Sequence, residues 1–373
     1  MRIHVVVPEG FDSPGRPTGG NIYDQRVCAG LAEAGWEVVV ATVAAARPAP
    51  DSGALADLAR IVSAIPDGET VLIDGLIASP AAAQLLPHAH RISITVLLHM
   101  PLATAMDAGH DASAQRSERV VLRAATGVIV TSEWTRQQVL TRQEVPACRV
   151  HVARPGVDRV AAPARPVRGH LICVGNLGRH KGQDVLVEAL AQLGDLDWHC
   201  VLAGALDRDT DFVDHLQARI TRLGYSHRVR LAGVMTGQVL SHAYTTADLL
   251  VAPSRSETYG MAVTEALAHG LPVVAAAAGG LPEALGSAVD GTRPGLLVPP
   301  GDPAALAASL RGWLGDERLK QRLRAAALQR RMTLHGWEQT TQEVADALTA
   351  HRRSSFVPNG VNEHAGRPAC GHD

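Results

Sequence analysis

Aromatic residues make up only 3% of this 373-residue chain, so its core must be filled with Val, Leu, Ile and Ala, and no obvious stacking platform presents itself. Lysine is almost missing: Lys181 and Lys320 stand alone against a background of arginine, which makes their placement worth following. A net charge of −2 leaves no basic footprint for a polyanion and argues against nucleic acid as a partner. The five cysteines (Cys28, Cys148, Cys173, Cys200, Cys370) are scattered, with no C-x-x-C and no histidine at zinc spacing. They read as thiols in a reducing compartment rather than a disulfide framework. Gly and Pro interrupt every apolar run before it reaches about 18 residues, so no membrane span is expected. The opening "MRIHVVVPEG" is too short a run for a signal peptide and reads as a first strand. These absences together predict a soluble, cytoplasmic protein. No strand is followed by G-x-G-x-x-G and no Walker A sequence occurs, which disfavours an NAD oxidoreductase or a P-loop enzyme.

What is present is a regular alternation. Strand-like runs are "IHVVVP", "EVVVATV", "TVLIDG", "RISITVLLH", "GVIVTS" and "RVHVARP", then "LICVGN", "WHCVLAG", "RVRLAG", "DLLVAPS", "LPVVAAAA" and "GLLVPP", with helical stretches between them. Continuous apolar strands alternating with helices mean parallel sheets covered on both faces. About a dozen strands exceed one comfortable open sheet, so two Rossmann-like units are expected. The stretch "RPGVDRVAAPARPVRGH" is Pro-rich and aperiodic and reads as the linker. The tail beyond Ala350 is polar and is expected to be disordered.

Ligands of open α/β sheets bind outside the carboxyl ends of strands, so the loops there are where chemistry is sought. In "SRSETYGMAVTEALAHGLP", Glu257 and Glu265 flank Gly260 at the start of a helix predicted over 259–269. The amides around Tyr259, Gly260 and Met261 carry the positive end of the helix dipole and suit a diphosphate. Glu257 and Glu265 would then take hydroxyl pairs on either side, as ionised carboxylates only accept. The bland reading is that "SRSE" is a capping box. "VGNLGRHKGQDVL" delivers Arg179 and Lys181 to another such loop, as cations for an anionic ligand or as a solvated pair. Glycine pairs at Gly19–Gly20 and Gly279–Gly280 read either as anion loops or as tight connections. His99 closes the fourth strand, as a structural or a catalytic histidine. Asp207, Asp209 and Asp211 show D-x-D spacing, but at a helix start, where acids complement the dipole. No metal is expected.

The series "PTGGNIYDQRVCAGLAEAGWEV", "VIVTSEWTRQQV", "RPGVD", "VGNLGRHKG", "SRSETYGMAVTEALAHGLPVVAAAAGGLPEAL" and "GLLVPPGDPAAL" resembles, in order, the retaining GT-B glycosyltransferases of family 4 (group 1), marked by E-x7-E. The resemblance implies two Rossmann-like domains facing across a cleft: 1–157 binding acceptor, 158–335 binding a nucleotide sugar, with a helix at 336–350 crossing back and a disordered tail at 351–373. It places Glu257 on the sugar-contacting glutamate, Gly260 and Met261 on the diphosphate amides and Glu265 on the ribose glutamate. Lys181 falls on the phosphate lysine, Gly20 on the N-terminal phosphate loop and His99 on the cleft histidine, with Val234 and Met235 beside the base. Asn176 stands where the family usually has arginine, so Arg179 must compensate if that cation matters.

The function expected is retaining, metal-independent transfer of a hexosyl group from a nucleoside diphosphate sugar, UDP-linked by default and GDP-linked as the other option, to an acceptor hydroxyl. No resident cofactor is expected, the nucleotide sugar being a co-substrate. The rivals are a nucleotide-sugar 2-epimerase on the same fold and a non-catalytic nucleotide-sugar binder.

Overall fold

The computed structural model describes residues 1–15, 17–44, 52–102, 112–161 and 166–355. Among the described residues twelve parallel strands form two six-stranded sheets, and each coincides with one of the twelve apolar runs above. The first sheet holds β1 (Arg2–Pro8), β2 (Glu37–Val43), β3 (Thr70–Asp74), β4 (Ser93–Leu98), β5 (Gly127–Val130) and β6 (Val150–Val152), in the order β2-β1-β3-β4-β5-β6. The second holds β7 (His170–Val174), β8 (His199–Ala203), β9 (Val229–Gly233), β10 (Leu249–Ala252), β11 (Val273–Ala276) and β12 (Gly295–Val298), in the order β12-β11-β10-β7-β8-β9.

Each sheet is a separate compact unit. The first comprises Met1–Asp12, Gly20–Arg154 and the chain from Trp337 on; the second comprises Ser13–Gly19 and Pro155–Gly336. The break thus falls after Arg154 rather than at 157. Val157 is held in the second unit by a parallel bridge to Gly336 and by donating its N–H to the His335 carbonyl at 2.9 Å.

Strand alternation sorts side chains into two core layers per sheet. In the first unit Val6, Ile73, Val96 and Val128 face Leu58, Val62 and Leu122. Their neighbours Val5, Leu72, Leu97 and Ile129 face Tyr23, Leu31, Val344 and Leu348 on the other side. β3 and β4 are buried along their whole length, which is why they read as unbroken apolar runs.

The terminal helix runs Trp337–Ser355, five residues past its expected end, and it completes the first unit. Glycines admit it. A β-carbon at Gly30 would lie 2.1 Å from Thr341 Oγ1, and one at Gly127 would lie 1.9 Å from the His351 ring. His351 Nδ1 is also 3.1 Å from Thr95 Oγ1. His351 is therefore a core residue, and the expectation of disorder from 351 is corrected for 351–355; residues 356–373 lie outside the described residues. Cys28, Cys173 and Cys200 are free thiols, as expected for them. No described helix is long and apolar enough to cross a membrane.

Candidate active site

Where neighbouring parallel strands send their connections to opposite sides, a crevice opens at their carboxyl ends. The strand orders put such switch points between β7 and β10 in the second unit and between β1 and β3 in the first. The candidate residues gather at both.

In the second unit, β7 leads into a short turn at Arg179–Lys181, and β10 leads through Pro253 to the helix Met261–Ala268. The two loops are laced together. The Arg255 and Ser256 amides donate to the His180 carbonyl at 2.8 and 3.3 Å. The Arg255 guanidinium grips both Asp184 oxygens at 2.7 Å and donates to the Arg179 carbonyl at 2.8 Å. That lacing sets Lys181 Nζ 2.5 Å from Glu257 Oε2, with both side chains largely shielded. Behind the loop, the Gly280 amide donates to the Glu257 carbonyl at 2.9 Å. A β-carbon at Gly280 would come within 2.2 Å of the Thr258 carbonyl oxygen. The Gly279–Gly280 pair is therefore a backing for the Glu257 loop, and its reading as an anion loop is set aside.

The helix begins at Met261, two residues later than expected, because Gly260 adopts a left-handed conformation (φ 106°) that ends the loop. Its first turn carries no acidic residue and its N-cap has no side-chain hydrogen bond. Ser254 and Glu257 consequently form no capping box, and the first-turn amides are left without a side-chain acceptor. The helical path from Met261 to Glu265 is about 6 Å, so the loop covers the remaining separation from Glu257. Glu265 is half-buried and its Oε2 accepts from Tyr244 Oη at 2.8 Å. Burial raises its pKa, while the Tyr244 hydrogen bond opposes that rise.

Other expected site residues fare differently. The Tyr259 ring belongs to the apolar cluster that includes Val263 and Leu281, so the part expected of this residue falls to its backbone amide and not to its side chain. Arg179 is exposed on its turn. The Asn176 amide is used structurally: its Oδ1 accepts from the Ala205 N–H at 3.1 Å and joins the loops after β7 and β8. Val234 and Met235 follow the edge strand β9, Val234 exposed and Met235 half-buried. Asp209 caps the helix Thr210–Arg222 by accepting from the Phe212 amide at 3.1 Å, the plain reading of the D-x-D stretch.

In the first unit, Gly20 sits in the first turn of the helix Gly19–Glu33, and a β-carbon there would lie 3.2 Å from His99 Cδ2. His99 follows β4, and its Nε2 is 2.8 Å from Asp24 Oδ1 and 3.7 Å from Asp74 Oδ2. Tyr23 stacks edge-on against the ring at 5.2 Å. Asp24 and Asp74 are buried, and the Asp24 Oδ2 atom is without a hydrogen-bond partner. These three side chains also form the one group of acids and histidines close enough to hold a metal among the described residues, their donor atoms lying within 4.8 Å. Asp24, Asp74, Arg255, Asp184 and Tyr244 were not singled out from sequence. A legible signal existed for two of them: Asp24 interrupts the buried stripe Tyr23–Val27–Leu31, and Asp74 ends an otherwise apolar strand.

Comparison with known proteins agrees with this layout. Residues 162–330 match the family model of glycosyl transferases group 1. The chain is 32% identical to D-inositol 3-phosphate glycosyltransferase 1 of Catenulispora acidiphila, across 92% of each protein. Its fold is similar to that of sucrose-phosphate synthase from Thermosynechococcus elongatus (TM-score 0.75, 23% identity, covering 93% of this chain and 98% of that one). It is also similar to Anabaena Alr3699/HepE, solved in complex with UDP-glucose (TM-score 0.75, 20% identity, covering 94% of this chain and 100% of that one). The chain belongs to the glycosyl transferases group 1 family and is a glycosyltransferase of the GT-B fold.

Proposed function

We propose that this glycosyltransferase moves a hexosyl group from a nucleoside diphosphate sugar to an acceptor hydroxyl, with retention at the anomeric carbon and without a metal. One observation carries the reading: a lysine, a glutamate and a helix start with no side-chain cap converge at the β7/β10 switch point. The Gly260 and Met261 amides and Lys181 would hold the diphosphate, with Arg179 as a second cation. Glu257 would accept from sugar hydroxyls and Glu265 from the ribose diol, while Val234 and Met235 flank the base. On the first unit, Gly20 and His99 mark the substrate-facing strand ends.

The bond from the anomeric carbon to the diphosphate oxygen breaks with its electron pair staying on phosphate. Preorganised amides and Lys181 meet that growing charge, which should be the largest catalytic contribution. The acceptor hydroxyl adds to the same face and passes its proton to the departing phosphate oxygen. No partner carboxylate is needed for a covalent intermediate on this route. Lys181 is neutralised by Glu257 before the donor arrives, so the diphosphate takes over a cation already in place.

The Anabaena complex makes UDP-sugars the first donors to try, with GDP-sugars next, and the Catenulispora relative makes D-inositol 3-phosphate the first acceptor. A thermal-shift screen of nucleotide sugars, followed by mass spectrometry of the products, tests the reading. Stabilisation by one donor class and a glycosylated product with unchanged anomeric configuration are expected. An inverted product would remove retention, and a screen in which no nucleotide sugar binds or is consumed would sink the whole reading.

A further inference from the structure

The His99 cluster does more than place a histidine. Three ionisable side chains meet in a nearly dry site: Asp24 from the first helix, Asp74 from the end of β3, and His99 from the end of β4. Asp24 is 1% exposed and Asp74 6%, so two negative charges side by side would be costly. We propose that one of the two carboxyls is neutral and that Asp24 is a positioning residue holding His99 as an imidazolium pinned at Nε2, so that Nδ1 is offered to substrate as a cationic donor and not as a base. This rests on the assignment of His99 to the substrate-facing end of the first unit.

The geometry supports each part. Both carboxylates approach the same ring nitrogen, at 2.8 and 3.7 Å, so Nε2 must carry hydrogen and is closed to a ligand. Asp74 Oδ1 is committed to the Leu76 amide at 2.5 Å, as the cap of a short helix, which fixes that carboxyl group in the cluster. Burial first, and then the Asp24 charge, push Asp74 up to about 8, with His99 pulling the other way. Asp74 is the member that keeps the proton. For His99, burial works against the charge, but Asp24, by its charge and its hydrogen bond, and then Asp74 outweigh it and lift the ring to about 9. The other titratable neighbours are the Tyr23 hydroxyl, which donates to the Ala153 carbonyl at 2.9 Å and is driven well above its ordinary value by burial, and the Cys28 thiol, pushed up to about 12 by burial and then by Asp24. They therefore add no charge near neutrality. The Trp337 ring behind Tyr23 is uncharged. With one imidazolium, one carboxylate and one carboxylic acid the cluster is neutral overall, which is how a buried charge is tolerated.

The test is an NMR titration of the ring, with its resonance assigned by loss in His99→Gln. In the wild type, His99 is expected to remain protonated up to about pH 8 and to titrate about 2 units above an ordinary histidine. In Asp24→Asn the midpoint should fall by about 2 units or more, and in Asp74→Asn by less. A wild-type ring already neutral at about pH 7.5 overturns the proposal without any variant having to fold. So does an unmoved midpoint in folded Asp24→Asn, or tight uptake of zinc by wild type that displaces the ring proton. A second readout separates positioning from mere support. In Asp24→Asn, kcat at about pH 8 should fall tenfold or more and recover most of that near pH 6, where the imidazole recharges by itself. A loss that is flat with pH also counts against it. If no nucleotide sugar is ever turned over while the NMR midpoint stands high, the functional reading fails and the protonation of the cluster survives.

Discussion

A β-carbon on Gly279 would lie 1.8 Å from the carbonyl oxygen of Glu257, and Gly279 itself sits at φ 55°. The loop bearing a glutamate at the β7/β10 crevice is thus pressed from behind by a residue twenty-two positions later. Gly279→Ala should displace that loop and add backbone strain, costing on the order of 3 kcal/mol. Denaturant melts would show the loss of stability, and donor turnover should fall with it. A variant of wild-type stability and activity would show that the loop tolerates the displacement.

Lys181 should matter more for turnover than for affinity. If it meets charge that develops on the leaving diphosphate, Lys181→Ala should lower kcat by about 10²–10³-fold with a smaller change in donor KM. Steady-state kinetics with the donor found in the screen decide this. Near-normal kcat with a raised KM would make Lys181 a binding residue only.

Glu265 and Tyr244 should separate binding from chemistry. Glu265→Ala is expected to weaken nucleotide binding strongly, and Tyr244→Phe to weaken it by about tenfold or less, since it removes one hydrogen bond that orients the carboxylate. Because burial raises the Glu265 pKa, acidification should protonate it sooner than an ordinary glutamate. Nucleotide affinity, measured by calorimetry, should therefore drop at a higher pH in wild type than free glutamate would predict. Glu265→Gln should flatten that pH dependence. Equal affinities across these variants would remove the ribose role.

His351 predicts a pH-dependent stability. Burial first, then His151 and Arg149, depress it from 6.5 to about 4. Between those values the unfolded chain binds a proton that the folded chain refuses, so stability is full above about pH 6.5 and is lost as pH falls towards 4. The loss is on the order of 3 kcal/mol. His4, His88, His151 and His269 are depressed as well, so the informative quantity is the difference between wild type and His351→Leu. That difference, measured by urea denaturation at several pH values, should shrink on acidification. A constant difference would mean His351 is not buried neutral.

Much of the architecture was legible because parallel strands covered on both faces declare themselves as short apolar runs, and every run named from sequence became a strand. Position along a helix was less legible. The Met261 start depends on the left-handed Gly260, and a Ser-x-x-Glu pattern mimicked a cap that the backbone does not form. Contacts distant in sequence were invisible: Asp24 and Asp74 meet His99 only because the sheet order sets β3 beside β4 and the first helix against them. Gly279 and Gly280 left two readings open, an anion loop or a tight connection, because a glycine that admits backbone looks the same, in sequence, as one that admits phosphate. His351 hid in a polar stretch whose one buried face is apparent only once Gly127 is placed beneath it.

The terminal helix has a consequence for the order of events at the ribosome. Val344, Ala347 and Leu348 close the same core layer that Ile3, Val5 and Leu31 open, so one side of the earlier-made sheet is covered only in part, by the helix Gly19–Glu33, until the terminal helix emerges. Translating the intervening stretch of about 180 residues takes roughly 10–40 s at cellular elongation rates. During that wait the part of this apolar layer that the terminal helix will cover stays open, a natural client for chaperones, while the later-made sheet can already be finished.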